Sequence, residues 1–139
     1  MNGLRFEAVN VGDKLPVLRT APISRTTLAL FAGASGDHNP IHIDIDFARS
    51  AGMEDVFAHG MLSMAYLGRL LTGWVPQTAL RRFDTRFVAI TQLRERIVCT
   101  GTVAQKYEED GEKRVRLAVE AANEAGEVKL AGEAVVALP

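Results

Sequence analysis

The chain has 139 residues, 47% of them hydrophobic and 24% charged, with a formal net charge of −1. That balance suits one soluble unit, 1–139, able to bury a core, and carries no electrostatic footprint for nucleic acid or an anionic membrane. The single cysteine, Cys99, excludes an internal disulfide and any multi-cysteine metal site. It sits in a Val/Thr-rich run, Ile97-Val-Cys-Thr100, as a packed strand residue would.

The N-terminus shows no basic-then-apolar leader pattern, and no apolar run reaches the roughly 18 residues that span a bilayer. A cytoplasmic location is the expectation. Val11-Gly12-Asp13-Lys14 reads as a turn, and Leu15 to Thr20 as an edge strand, where Pro16 is tolerated. Ser24 is placed to cap a helix whose Leu28, Phe31 and Ala32 share one face, with Gly36 placed to stop it. Pro40 keeps 37–45 out of the helix, because it lacks a donor and biases Asn39 away from helical angles. Asp44 or Asp46 then caps a short helix, Phe47 to Ala51, that ends at Gly52.

The run from Met61 to about Thr72 is apolar on nearly all sides, with Arg69 its only charge. Such a helix is expected in a core rather than on a surface. The remainder is strand-like. Phe83, Thr85, Phe87 and Ala89 alternate with Arg82, Asp84 and Arg86. Ile97 to Lys106 is rich in Val and Thr. Glu109-Asp110-Gly111 signals a hairpin turn into Val115 to Ala121, and Asn123 to Gly126 turns again into Val128 to Leu138. The expected class is α+β: an edge strand, helices with one deeply buried, then four antiparallel strands joined by short turns and wrapped around the buried helix.

All three histidines, His38, His42 and His59, fall in two short segments, 35–42 and 58–61. Asp37 precedes His42 across a Gly/Asn/Pro turn. A carboxylate and an imidazole that converge can hold a water molecule and take a proton from it. The plainer reading has Asp37 capping its own loop through the Asn39 or Ile41 N–H, and His42 as a satisfied loop residue. Residue types alone leave both open. His59-Gly60 stands where the apolar helix begins. Helix N-termini carry free N–H groups and partial positive charge, and glycine lets a ligand oxygen approach. That suits a developing oxyanion, or a simple turn.

Other candidates are weaker. His38, Asp44 and Asp46 match no standard ligand spacing with His42, so no metal is expected. Arg81, Arg82, Arg86, Arg94 and Arg96 read as solvated strand faces, or as a phosphate-binding rim. Met61, Met64, Leu67 and Leu71 read as core, one edge of which can line an acyl tunnel.

The stretch from Phe31-Ala-Gly-Ala-Ser-Gly-Asp-His-Asn-Pro-Ile-His42 to Ala48, followed by Val56-Phe-Ala-His-Gly-Met-Leu62, closely resembles the MaoC-like dehydratases. These include the (R)-specific enoyl-CoA hydratases and the small 3-hydroxyacyl-ACP dehydratase subunits. The resemblance implies a hot dog fold, a curled antiparallel sheet around one long helix. It implies reversible hydration of 2-enoyl thioesters, carried by CoA or ACP, to (R)-3-hydroxyacyl thioesters. Asp37 and His42 become the catalytic pair, and the Gly60 N–H the group that holds the thioester carbonyl. His59, Met61 and Asn39 fall on the substrate side, Asn39 by shaping the turn, while His38 fills a variable position. No cofactor is implied. A homodimer, or a larger assembly of dimers, is, with a heterodimer the alternative. Competing activities are a hot dog thioesterase and an acyl-binding subunit of a heteromeric dehydratase. One departure stands out. Some hydratases carry a hydroxyl residue eight positions after the glycine of the His-Gly-Met motif, and this chain has Gly68 there, which would widen the tunnel or admit close packing.

Overall fold

The computed structural model describes residues 3–139, which leaves Met1 and Asn2 of the expected 1–139 unit outside it. In chain order the regular elements are β1 (Leu18–Arg19), α1 (Arg25–Ser35), α2 (Ile45–Ser50), α3 (Gly60–Thr72), β2 (Leu80–Phe87), β3 (Val98–Glu109), β4 (Glu112–Ala122) and β5 (Val128–Ala137). Short 3-10 turns cover Phe6–Ala8, Pro40–His42 and Gln77–Ala79. The strands form one antiparallel sheet in the order β1-β3-β4-β5-β2.

Local chemistry explains the helix ends. The Ser24 side chain accepts the Thr27 N–H, and Gly36 closes α1 at φ 79°. Asp44, rather than Asp46, caps α2 by accepting the Asp46 and Phe47 N–H groups. Asp110 and Gly111 both adopt positive φ in the two-residue turn between β3 and β4, the backbone that matches strand twist in a hairpin.

The core lies between α3 and the inner sheet face. Leu62, Leu67, Leu70 and Leu71 meet Cys99, Val103, Val115, Leu117, Val119 and Leu130, all buried. α3 touches β1, β3, β4 and β5. Cys99 is the packed strand residue expected, and burial pushes its thiol up to about 12.

Three expectations change. The strand read over Leu15 to Thr20 shrinks to Leu18–Arg19, with an isolated bridge from Lys14 to Thr102, because Pro16 cannot donate to the ladder. The last four strands are not all joined by short turns. β2 pairs with β5 at the far edge, so the link 88–97 must cross to β3. α3 is not covered all round either: Met61 and Ala65 are exposed, because a curled sheet encloses a helix on one side only.

Candidate active site

Three segments deliver the site. The α1 stop at Gly36 releases the turn that carries Asp37. The 3-10 turn Pro40–His42, capped by the Asn39 side chain accepting the Ile41 N–H at 3.1 Å, swings His42 inward until it is buried. The loop before α3 brings His59 and Gly60. Donor atoms of Asp37, His42 and His59 lie within 4.8 Å of one another, with Asp37 exposed and both histidines buried.

Carbonyl partners fix both imidazole tautomers. His42 Nδ1 lies 2.8 Å from the Phe57 carbonyl oxygen. A carbonyl only accepts, so Nδ1 bears the proton, and in the neutral ring Nε2 is free to accept. His59 Nε2 donates to the Asp37 carbonyl at 3.2 Å, which leaves Nδ1 as a buried acceptor with no partner. The two rings stack at 4.0 Å, and Phe31 and Phe57 meet them edge-on. Burial, and then the neighbouring His42, pull the pKa of His59 below the usual histidine value. His59 is therefore a neutral brace between α3 and the Asp37 backbone.

Asp37 caps its own loop and is also placed at the cleft. One carboxylate oxygen accepts the Asn39 N–H at 3.2 Å, while the side chain also borders the open cleft. The cleft, about 440 Å³, is lined in part by Asp37, Gly60 and Met61. Phe57, Ala58, Phe87, Val88, Ala89, Ile90, Thr91 and Leu130 also line it, most of them apolar. Gly60 is the first residue of α3, and no side chain caps that terminus, so its N–H has no intrahelical partner. A Cβ on Gly60 would stand 2.7 Å from the Phe87 ring.

The other candidates separate. Asn39 holds its turn and does not border the cleft, and His38 is exposed. Arg81, Arg82 and Arg96 are paired with Glu112, Asp84 and Glu124, so three of the five supposed rim arginines are engaged elsewhere. A Cβ on Gly68 would meet Phe83 at an ordinary 3.9 Å, so Phe83 fills the space beside the missing side chain. Phe57, Phe87 and the 88–91 segment were not picked out from sequence. Their roles depend on pairing across the fold: Ala58 N–H donates to the Thr91 carbonyl, and Phe57 bridges to Gln92.

With that geometry in place, comparison with known proteins is decisive. The MaoC like domain model matches residues 7–125. The chain belongs to the MaoC-like domain family. Among relatives, the (R)-specific enoyl-CoA hydratase of Rhodospirillum rubrum is 29% identical, over 96% of this chain and 91% of that protein. The 3-hydroxybutyryl-CoA dehydratase of Methylorubrum extorquens is 33% identical, over 82% of this chain and 84% of its own. The unliganded R-hydratase PhaJ1 of Pseudomonas aeruginosa superposes with a TM-score of 0.83 at 29% identity, covering 99% of this chain and 86% of that one. These likenesses make the fold a hot dog: the curled five-stranded sheet with α3 against its inner face.

Proposed function

We propose that this chain catalyses the reversible hydration of 2-enoyl thioesters to (R)-3-hydroxyacyl thioesters, with the acyl group carried by CoA or by an acyl carrier protein. The observation that carries this reading is the approach of the Asp37 carboxylate, which lines a largely apolar cleft together with Gly60 at the α3 N-terminus, to within 4.8 Å of the buried His42 imidazole behind it. Relatives named for this hydration and its reverse support it.

The steps follow from the donor and acceptor roles. A water between the two side chains gives one O–H to Asp37 and the other to His42 Nε2, two ordinary hydrogen bonds that together span up to about 5.5 Å. The thioester carbonyl lies at the Gly60 N–H, where the helix terminus stabilises the enolate-like oxygen. The water oxygen bonds to C3 as its proton passes to Asp37, and the alkene electrons move to the carbonyl. C2 then takes a proton back on the same face. Dehydration reverses each step. Asp37→Asn keeps the fold and lowers kcat by at least about 100-fold. Loss of the conjugated-alkene absorbance of crotonyl-CoA measures it, and release of free thiol would instead indicate a thioesterase. Full activity in Asp37→Asn would rule out this assignment of the base.

We also propose that two copies pair along the open edge of β2, the last strand of the sheet. Met61, Phe87, Val88 and Ile90 are each about half exposed beside that edge, a patch and an unpaired strand that favour being covered. Among the described residues no helix is long and apolar enough to cross a membrane.

A further inference from the structure

Lys129 is a lysine in the wrong place for a surface strand. The β4–β5 register skips it, passing from Ala121↔Leu130 to Ala122↔Val128. A bulge of this kind re-aims side chains, and here Lys129 and Leu130 are both buried to 1% exposure. Leu130 goes to the cleft wall. The Lys129 ammonium donates to the Ile90 carbonyl at 2.9 Å, lies 2.9 Å from a Glu95 oxygen, and meets the Glu127 carboxylate. The Lys129 carbonyl in turn accepts the Val88 N–H at 2.8 Å and the Ala89 N–H at 3.3 Å. One residue therefore grips the 88–90 segment from both sides.

That segment is a wall of the cleft, and it reaches the catalytic groups. The Thr91 carbonyl accepts the Ala58 N–H at 2.9 Å, directly before His59-Gly60, and Gln92 bridges to Phe57, whose carbonyl holds His42. Glu95 braces the far end by accepting the Gln92 N–H and an Asn123 side-chain N–H. Burying an ammonium with two carboxylates is costly compared with an apolar residue of similar size. What an apolar residue could not supply is the donor to the Ile90 carbonyl.

We propose that Lys129 is a positioning residue that sets the acyl-facing wall of the cleft, Val88 to Thr91. This rests on the hydratase reading, in which a longer acyl chain presses on that wall more than a crotonyl group does.

The test uses Lys129→Met and Glu95→Gln in the full chain. The first readout is the ratio of kcat/KM for 2-octenoyl-CoA to that for crotonyl-CoA, which does not depend on the fraction of folded enzyme. It falls by about fivefold or more, while kcat on crotonyl-CoA stays within about threefold. The second readout is amide hydrogen exchange, which needs no substrate. The Val88 and Ala89 amides exchange faster than in the unsubstituted protein, while the β3–β4 hairpin is unchanged. A ratio shifted by less than about fivefold in both variants, or unchanged exchange at 88–89, overturns the proposal. Should Lys129→Met fail to fold, Glu95→Gln carries both readouts, since it removes one of the two carboxylates that hold the ammonium against the Ile90 carbonyl. If the unsubstituted protein turns over neither thioester, the hydratase reading fails, and the exchange measurement still decides whether Lys129 holds the wall.

Discussion

At Gly60, a missing side chain does the work. An added Cβ would stand 2.7 and 2.8 Å from two carbons of the Phe87 ring, too close unless that ring moves. The ring borders the cleft, so moving it disturbs the place where a thioester carbonyl would sit. Gly60→Ala is therefore expected to lower kcat/KM by about tenfold or more, with little change in urea midpoint, because Phe87 is exposed and can swing. His59 makes a pH prediction. Its folded-state pKa lies below the usual value because it is buried beside His42. Below about pH 6.5 the unfolded chain takes up a proton that the folded chain resists. The stability it contributes is thus complete above that pH and is lost on acidification through the window down to the folded pKa. Urea midpoints measured from pH 7.5 to 5 should fall, and His59→Gln should flatten that slope.

Among the elements, β2 depends on one glycine in its neighbour. A Cβ on Gly132 would lie 1.9 Å from the Asp84 carbonyl oxygen and 2.6 Å from the Thr85 Cα. Both are backbone atoms of β2 and cannot step aside. Gly132→Ala should therefore cost about 3 kcal/mol or more, seen as a lowered urea midpoint. Because β2 ends at Phe87 and leads into the 88–91 wall, activity should fall with it. Much at this scale was readable in advance. The caps at Ser24 and Asp44, the stop at Gly36 and the Asp110-Gly111 turn are local hydrogen-bond and dihedral effects, visible in a few consecutive residues. The pairing of β2 with β5 was not, since alternation reveals which residues face inward but not which strand lies alongside.

Over the whole molecule, the uncovered side of α3 and the open edge of β2 place Met61, Phe87, Val88 and Ile90 on one apolar margin beside the cleft. The expected outcome is a particle of two chains by native mass spectrometry, and Phe87→Glu should shift it toward one. The same margin bounds the cleft, so pairing and acyl binding would draw on shared side chains. A single-chain mass for the unsubstituted protein at micromolar concentration would count against the pairing.

Sequence by itself determined the residues of the candidate site and their local frames. A Gly/Asn/Pro turn between Asp37 and His42, and a glycine at the head of an apolar run, are short-range patterns whose physics is set within a few residues. It left open whether Asp37 caps its loop or converges with His42, and the fold shows one carboxylate that accepts the Asn39 N–H while it borders the cleft near His42. Only tertiary structure decided the tautomers of His42 and His59, because each depends on a carbonyl 15 or 22 positions away. Only tertiary structure, too, turned Lys129 inward against Ile90 and Glu95. A bulge's register and a partner distant in sequence leave no mark in the alternation of a strand, which would have put that lysine in solvent.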